Sequence, residues 1–201
     1  MPKRILILIA ALFIITVLLL LLSLIKPKSS SPTPFTSPTP ISIIPMSKKQ
    51  ISPISNIIPG KTNQVDVEKI LGTPSQDSNI GNLTQLDFPT SQKNFTDTVV
   101  VKQSLTYYTV ENVFDDSTYG TTEEFLSRFG TSYAKLYDTR GGYDWYVFTN
   151  QGFGIETNGS QITKLIRFSP QDLSTFLQGP GADLGLSKTQ IPPVEEVNPG
   201  P

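Results

Sequence analysis

Histidine and cysteine are both absent from the 201 residues. This removes Ser-His-Asp and Cys-His mechanisms, thiol nucleophiles, imidazole- or thiolate-held metals, and disulfides. Carboxylates are the main groups left for acid–base or cation chemistry. Two adjacent pairs stand out, Asp115-Asp116 and Glu123-Glu124, but neither has the alternating oxygen ligands and central Gly of a calcium loop. Glu124, three residues after Thr121, fits instead a capping box ahead of Phe125, Leu126 and Phe129. No catalytic residue, metal ligand or cofactor is assigned.

Pro59-Gly60-Lys61-Thr62 has the look of the end of a phosphate-binding loop. The pattern fails upstream, where Ser55 stands in place of the required Gly and Pro53 replaces a buried strand. Thr62 reads better as the N-cap of a first helix, and no nucleotide is expected. Asn82, Asn94 and Asn158 each begin an Asn-x-Ser/Thr sequon, and Asn158-Gly159 also suits a two-residue hairpin turn. Residues 57–179 carry nine Lys and Arg against fourteen Asp and Glu, a net of −5 within a whole-chain −1. That balance gives no footprint for nucleic acid.

The elements that must position any site are unevenly spread. Ile5–Ile25 has only Thr16 and Ser23 as polar side chains, and 21 residues at about 1.5 Å each span roughly the 30 Å of a bilayer core. It reads as an uncleaved single-pass membrane helix and signal anchor, too long for a signal-peptide core. Residues 1–4 are placed inside and the rest outside the cytoplasmic membrane. Residues 26–56 hold seven Pro, eight Ser and three Thr, a disordered stalk. Residues 57–179 form the globular part, and 180–201 read as a disordered tail.

Within the globular part Val67, Ile70 and Leu71 recur at helical spacing and stop at Gly72, as Phe125, Leu126 and Phe129 do at Gly130. Each helix precedes a short strand-like run, Leu83–Phe88 or Tyr143–Phe148, and then a hairpin, Thr98–Phe114 or Gly152–Phe168. The expected fold class is α+β: a tandem α-β-β-β repeat, units 59–114 and 118–168, with helices packed on one face of an antiparallel sheet. A last short helix over 170–178 follows, with Ser169 as its cap and Gly179 closing it.

The run PGKTNQVDVEKILGTPS, a capped helix ending in Leu-Gly-x-Pro, resembles small bacterial envelope modules of the BamE (SmpA/OmlA) type. Its doubling is similar to the tandem architecture of β-lactamase inhibitor proteins. The resemblance implies a non-enzymatic envelope module. Members of the first kind are generally lipid-anchored through a Cys and assist outer-membrane protein assembly; this chain has no such Cys.

Alternation places Tyr143, Trp145 and Val147 on the face opposite the helices, where the first unit has Leu83, Gln85 and Asp87. Tyr143 and Trp145, with Tyr107 and Arg167 at the margin, are the candidate binding residues. The same aromatics also suit packing against the opposing unit, the loop Pro89–Asp97 or the C-terminal helix, and a register slip of one residue would exchange the faces. Three functions stay open: a non-catalytic binding module for an envelope protein or cell-wall polymer, a structural spacer, and a carboxylate-based glycan hydrolase. The bilayer itself is a partner through Ile5–Ile25.

Overall fold

A computed structural model of the chain describes residues 52–114 and 119–190. The expected membrane helix Ile5–Ile25, the stalk as far as Ile51, Asp115-Asp116 and the tail from Ile191 lie outside the described residues. Among the described residues, no helix is long and apolar enough to cross a membrane.

Nine strands form one antiparallel sheet in the order β1-β2-β3-β4-β8-β7-β6-β5-β9. The first half holds β1 (Gln76–Ile80), β2 (Leu83–Pro89), β3 (Thr96–Lys102) and β4 (Leu105–Asn112), preceded by helix α1 (Gln64–Leu71). Helix α2 (Thr122–Phe129) precedes β5 (Ala134–Asp138), β6 (Asp144–Phe148), β7 (Phe153–Asn158) and β8 (Gln161–Phe168). Two short helices, α3 (Leu173–Gln178) and α4 (Pro180–Asp183), and the two-residue β9 (Leu186–Ser187) close the chain.

The expected α+β architecture is overturned: the protein is mostly one nine-stranded sheet with short helices, of which the two long ones cover one face and the later α3 the other. Each long helix leads into four strands rather than three. The strand missed in the first half, β1, reads QDSNI and is largely exposed on both faces, so it has no apolar alternation to detect. Its place is fixed by backbone pairing with β2. In the second half, the missed β5 buries only Leu136 and Asp138.

Direct cross-strand partners share a face, and the row Leu86–Val99–Thr109–Arg167–Phe153–Phe148 runs across five strand pairings. Helix α1 covers one end of this face over Ile54, Ile57, Leu86, Phe88, Val99 and Val101. Helix α2 covers the other end over Phe148, Phe153, Ile155, Ile162 and Leu165. The opposite face carries Val100, Tyr108, Val110, Leu136, Trp145, Val147 and Ile166 beneath Phe176 of α3.

The two halves mirror each other's register about the β4–β8 seam, where Val110 pairs with Ile166. Leu86–Val99–Thr109 matches Tyr146–Ile155–Leu165, and the irregularities at Val100/Val101 and Glu156/Thr157 fall at matching positions. Both long helices end on a left-handed Gly, Gly72 at φ 88° and Gly130 at φ 84°, a conformation that a Cβ disfavours.

Local details sharpen the boundaries. Thr121 and Glu124 form the full capping box of α2. The cap of α1 is Asn63 rather than Thr62, whose hydroxyl instead accepts from the Ile58 amide. Asp172, not Ser169, caps α3. The 3-10 turn Pro53–Asn56 lies inside the expected stalk yet belongs to the fold, because Ile54 is fully buried against α1. The fold continues past Gly179, because Leu186 of β9 is buried in the cluster beneath α3. Single apolar anchors among Pro, Ser and Gly do not register in a compositional reading.

Candidate functional site

The four expected binding residues do not come together in one exposed patch. Trp145 is 2% exposed and packs in the cluster that includes Phe176, Val147 and Leu136. Its indole N–H is buried without a hydrogen-bond partner. Tyr143 stands alone at the turn before β6, 40% exposed.

Arg167 lies on the opposite face, between the clusters under α1 and α2. Its guanidinium donates to Glu111 at 2.9 Å and to the Tyr119 hydroxyl at 3.2 Å, and that hydroxyl in turn donates to Glu111 at 2.9 Å. Glu111 and Arg167 occupy matching positions in the two halves, so the internal symmetry sets opposite charges together at the seam. All three side chains are largely buried, which makes this a structural tie with every strong group partnered. Burial pushes the Tyr119 hydroxyl well above its ordinary range.

Asp97 extends the seam toward the chain's amino-terminal side. Its carboxylate accepts from the Asn112 amide at 2.9 Å and from the Ser52 hydroxyl at 3.3 Å. Partial burial, with Glu111 nearby, raises its pKa to about 6 despite the bond from Asn112.

Tyr107, half-buried, is the one of the four that lines a cleft. It sits where β4 slips register against β3, and a Cβ on Gly179 would collide with its hydroxyl, so its ring is held against the start of α4. Lys102 lies over that ring, with Nζ 5.0 Å from the centroid. Together with Gly60, Thr106, Phe168 and Gln171 they line a cleft of about 160 Å³. The hydroxyl of Thr106 is buried with no partner.

The cleft marks the border between covered and open parts of one sheet face. Beyond it, toward the β1 edge, this face presents Gln85, Asp87 and Thr98, all part-exposed. Asp87 accepts from Gln85 at 3.1 Å and from Thr98 at 2.7 Å, a small polar ladder that no helix covers among the described residues. Gln85 and Asp87 are the counterparts of Trp145 and Val147. The sequence shows the asymmetry between the halves and leaves open whether Trp145 meets a partner or packs; the structure buries both Trp145 and Val147. A second, shallower groove runs beside α2, lined by Thr122, Leu126, Tyr133 and Gly159. Among the described residues no group of three or more carboxylates could hold a metal ion.

Comparison with protein-family models, with curated proteins and with solved structures finds no match to this chain.

Proposed function

We propose that the chain is a non-catalytic binding module of the bacterial cell envelope, held at the cytoplasmic membrane by Ile5–Ile25 and displayed outside it on a Pro- and Ser-rich stalk. Its partner on this reading is an envelope protein or a cell-wall polymer. The observation that carries the proposal is the half-covered sheet face: the C-terminal segment covers Trp145, Val147 and Leu136, while Gln85, Asp87 and Thr98 stay open beside the Lys102–Tyr107 cleft. A spacer would have no need to leave one half of a face open.

The resemblance to BamE-type modules adds the envelope setting, and the apolar segment with its stalk adds the tether. Neither cleft among the described residues is lined by two carboxylates, which supports binding over the glycan-hydrolase alternative.

The test is site-specific photo-crosslinking in the full-length, membrane-inserted chain, with the probe at Gln85, Thr98 or Lys135. A discrete adduct from positions 85 and 98 and none from 135, which lies on the other face, is the expected result. No adduct from any of the three would favour the spacer.

A further inference from the structure

One end of the sheet sets two exposed aliphatic side chains, Ile80 and Leu105, in one register row with the half-buried Leu83 and with Lys102. Ile80 pairs with Leu83, Leu83 with Lys102, and Lys102 with Leu105. At about 4.8 Å per strand the row is roughly 14 Å wide, with all four side chains on one face. Ile80 is 60% exposed and Leu105 43%.

Two more exposed residues flank it. Asn63 bridges to Leu105 and brings Val65 alongside, and Gly60 bonds to Thr106 and brings Ile58. Four of the seven exposed large hydrophobics among the described residues, Ile58, Val65, Ile80 and Leu105, thus lie at this end. Scattered singly they would mean nothing; gathered around two neighbouring hairpin turns they form a surface.

The charge here runs against the rest of the domain. Lys61 and Lys102 stand at this end, and neither makes an ion pair within the described residues. The nearby Asp66 is taken by Lys69 at 2.9 Å, and Asp183 is a carboxylate whose charge Lys102 offsets. Cations therefore sit among aliphatic side chains in a region whose net charge is −5.

The side-chain types select the occupant. Protein hot spots favour Trp, Tyr and Arg, and here the single aromatic, Tyr107, is recessed under Lys102. Aliphatic turn tips flanked by Lys suit a lipid surface, where the side chains enter the acyl boundary and the ammonium groups meet phosphates. Reach is adequate as well. A 26-residue tether would reach on the order of 30 Å if it were a coil and about 80 Å if it were extended polyproline, against roughly 17 Å along β3 from Asp97, beside Ser52, to Lys102.

We propose that this end of the sheet docks on a bilayer surface rich in anionic lipid, with Ile80, Leu83 and Leu105 at the headgroup boundary and Lys61 and Lys102 on lipid phosphates. Its closeness to the bilayer rests on the tethered-module reading, and docking leaves the polar ladder of Gln85, Asp87 and Thr98 facing sideways.

Because the chain has no Cys, a single Leu105→Cys or Tyr143→Cys substitution in the full chain takes one environment-sensitive dye. The protein is reconstituted in phosphatidylcholine vesicles with or without phosphatidylglycerol. The dye at 105 should brighten and shift to the blue only with phosphatidylglycerol, and the dye at 143 should not respond. Lys61→Gln and Lys102→Gln should each lower the docked-to-free ratio roughly fivefold, with the melting temperature confirming that the variants fold. A water-like dye at 105, an equal response without anionic lipid, or a response that needs added envelope protein would overturn the proposal. Flotation with the vesicles tests the anchor separately. A chain that fails to float removes the anchor alone; the dye is then read on vesicles added from outside, where the same responses support or overturn docking.

Discussion

The two halves of the sheet share a register and differ in what covers them. In the second half, Trp145 and Val147 sit beneath α3, and the face below α2 is rich in rings, with Phe125, Phe148 and Phe153 packed at centroid distances of 4.8–6.5 Å. In the first half the matching positions are Gln85 and Asp87, part-exposed among the described residues, and the face below α1 is mostly aliphatic. Helix α1 buries only Val67, so it borrows Ile54 and Ile57 from the preceding segment to complete its core. The lesson is a division of labour: both halves build a core under their long helix, but only the second half buries its other face as well.

The sharpest way to break this comparison is at the paired positions themselves. Trp145→Ala should cost about 3–5 kcal/mol in chemical denaturation, the range for removing a buried aromatic. Gln85→Ala, at the matching site, should stay within about 0.5 kcal/mol. Equal costs would mean that the halves are not specialised.

The next largest effect belongs to the seam that joins them. Arg167→Ala strips the partner from a buried Glu111 and should destabilise by about 3 kcal/mol. The double variant Glu111→Leu/Arg167→Met should regain most of that loss, since no buried charge is then left unpaired. If the double variant is as unstable as the single one, the pair does more than neutralise itself.

A smaller, pH-dependent effect distinguishes Asp97 from its counterpart Phe153. The folded-state pKa of Asp97 is raised from 3.8 to about 6, so the stability it contributes is fully present below about pH 3.8 and is lost as pH rises through 6. Asp97→Asn keeps a side-chain acceptor for the Asn112 amide without the charge. It should therefore be more stable than the parent at pH 7, with the difference vanishing toward pH 4. A constant difference across that window in urea titrations would mean that Asp97 titrates normally.

Much of the local structure was legible from the chain. The capping box of Thr121 and Glu124 and the helix ends at Gly72 and Gly130 follow from side-chain chemistry acting within a few residues, whereas the turn expected at Asn158-Gly159 falls one residue later, at Gly159-Ser160, with Asn158 paired to Gln161 as the last residue of β7. Strands with a buried face showed themselves by alternation, as at Leu86 and Phe88. The edge strand Gln76–Ile80 did not, because backbone bonds to β2 rather than burial hold it in place. Ile54 and Leu186, lone anchors in Pro- and Ser-rich surroundings, were equally silent.

The candidate site was the least legible part, because it depends on where the last fifteen residues of the fold come to rest. The sequence by itself determined that the halves differ at Gln85 and Trp145, that the chemistry of His and Cys is absent, and that a 21-residue apolar segment precedes a Pro-rich stretch. Only the tertiary structure decided which of those two positions meets solvent. A strand's alternation reports that two faces differ; it carries no information about whether a segment such as Leu173–Ser187, distant along the chain, will fold back over one of them. Likewise, Glu111 and Arg167 are 56 residues apart and announce nothing to each other until β4 and β8 pair and place them on one face.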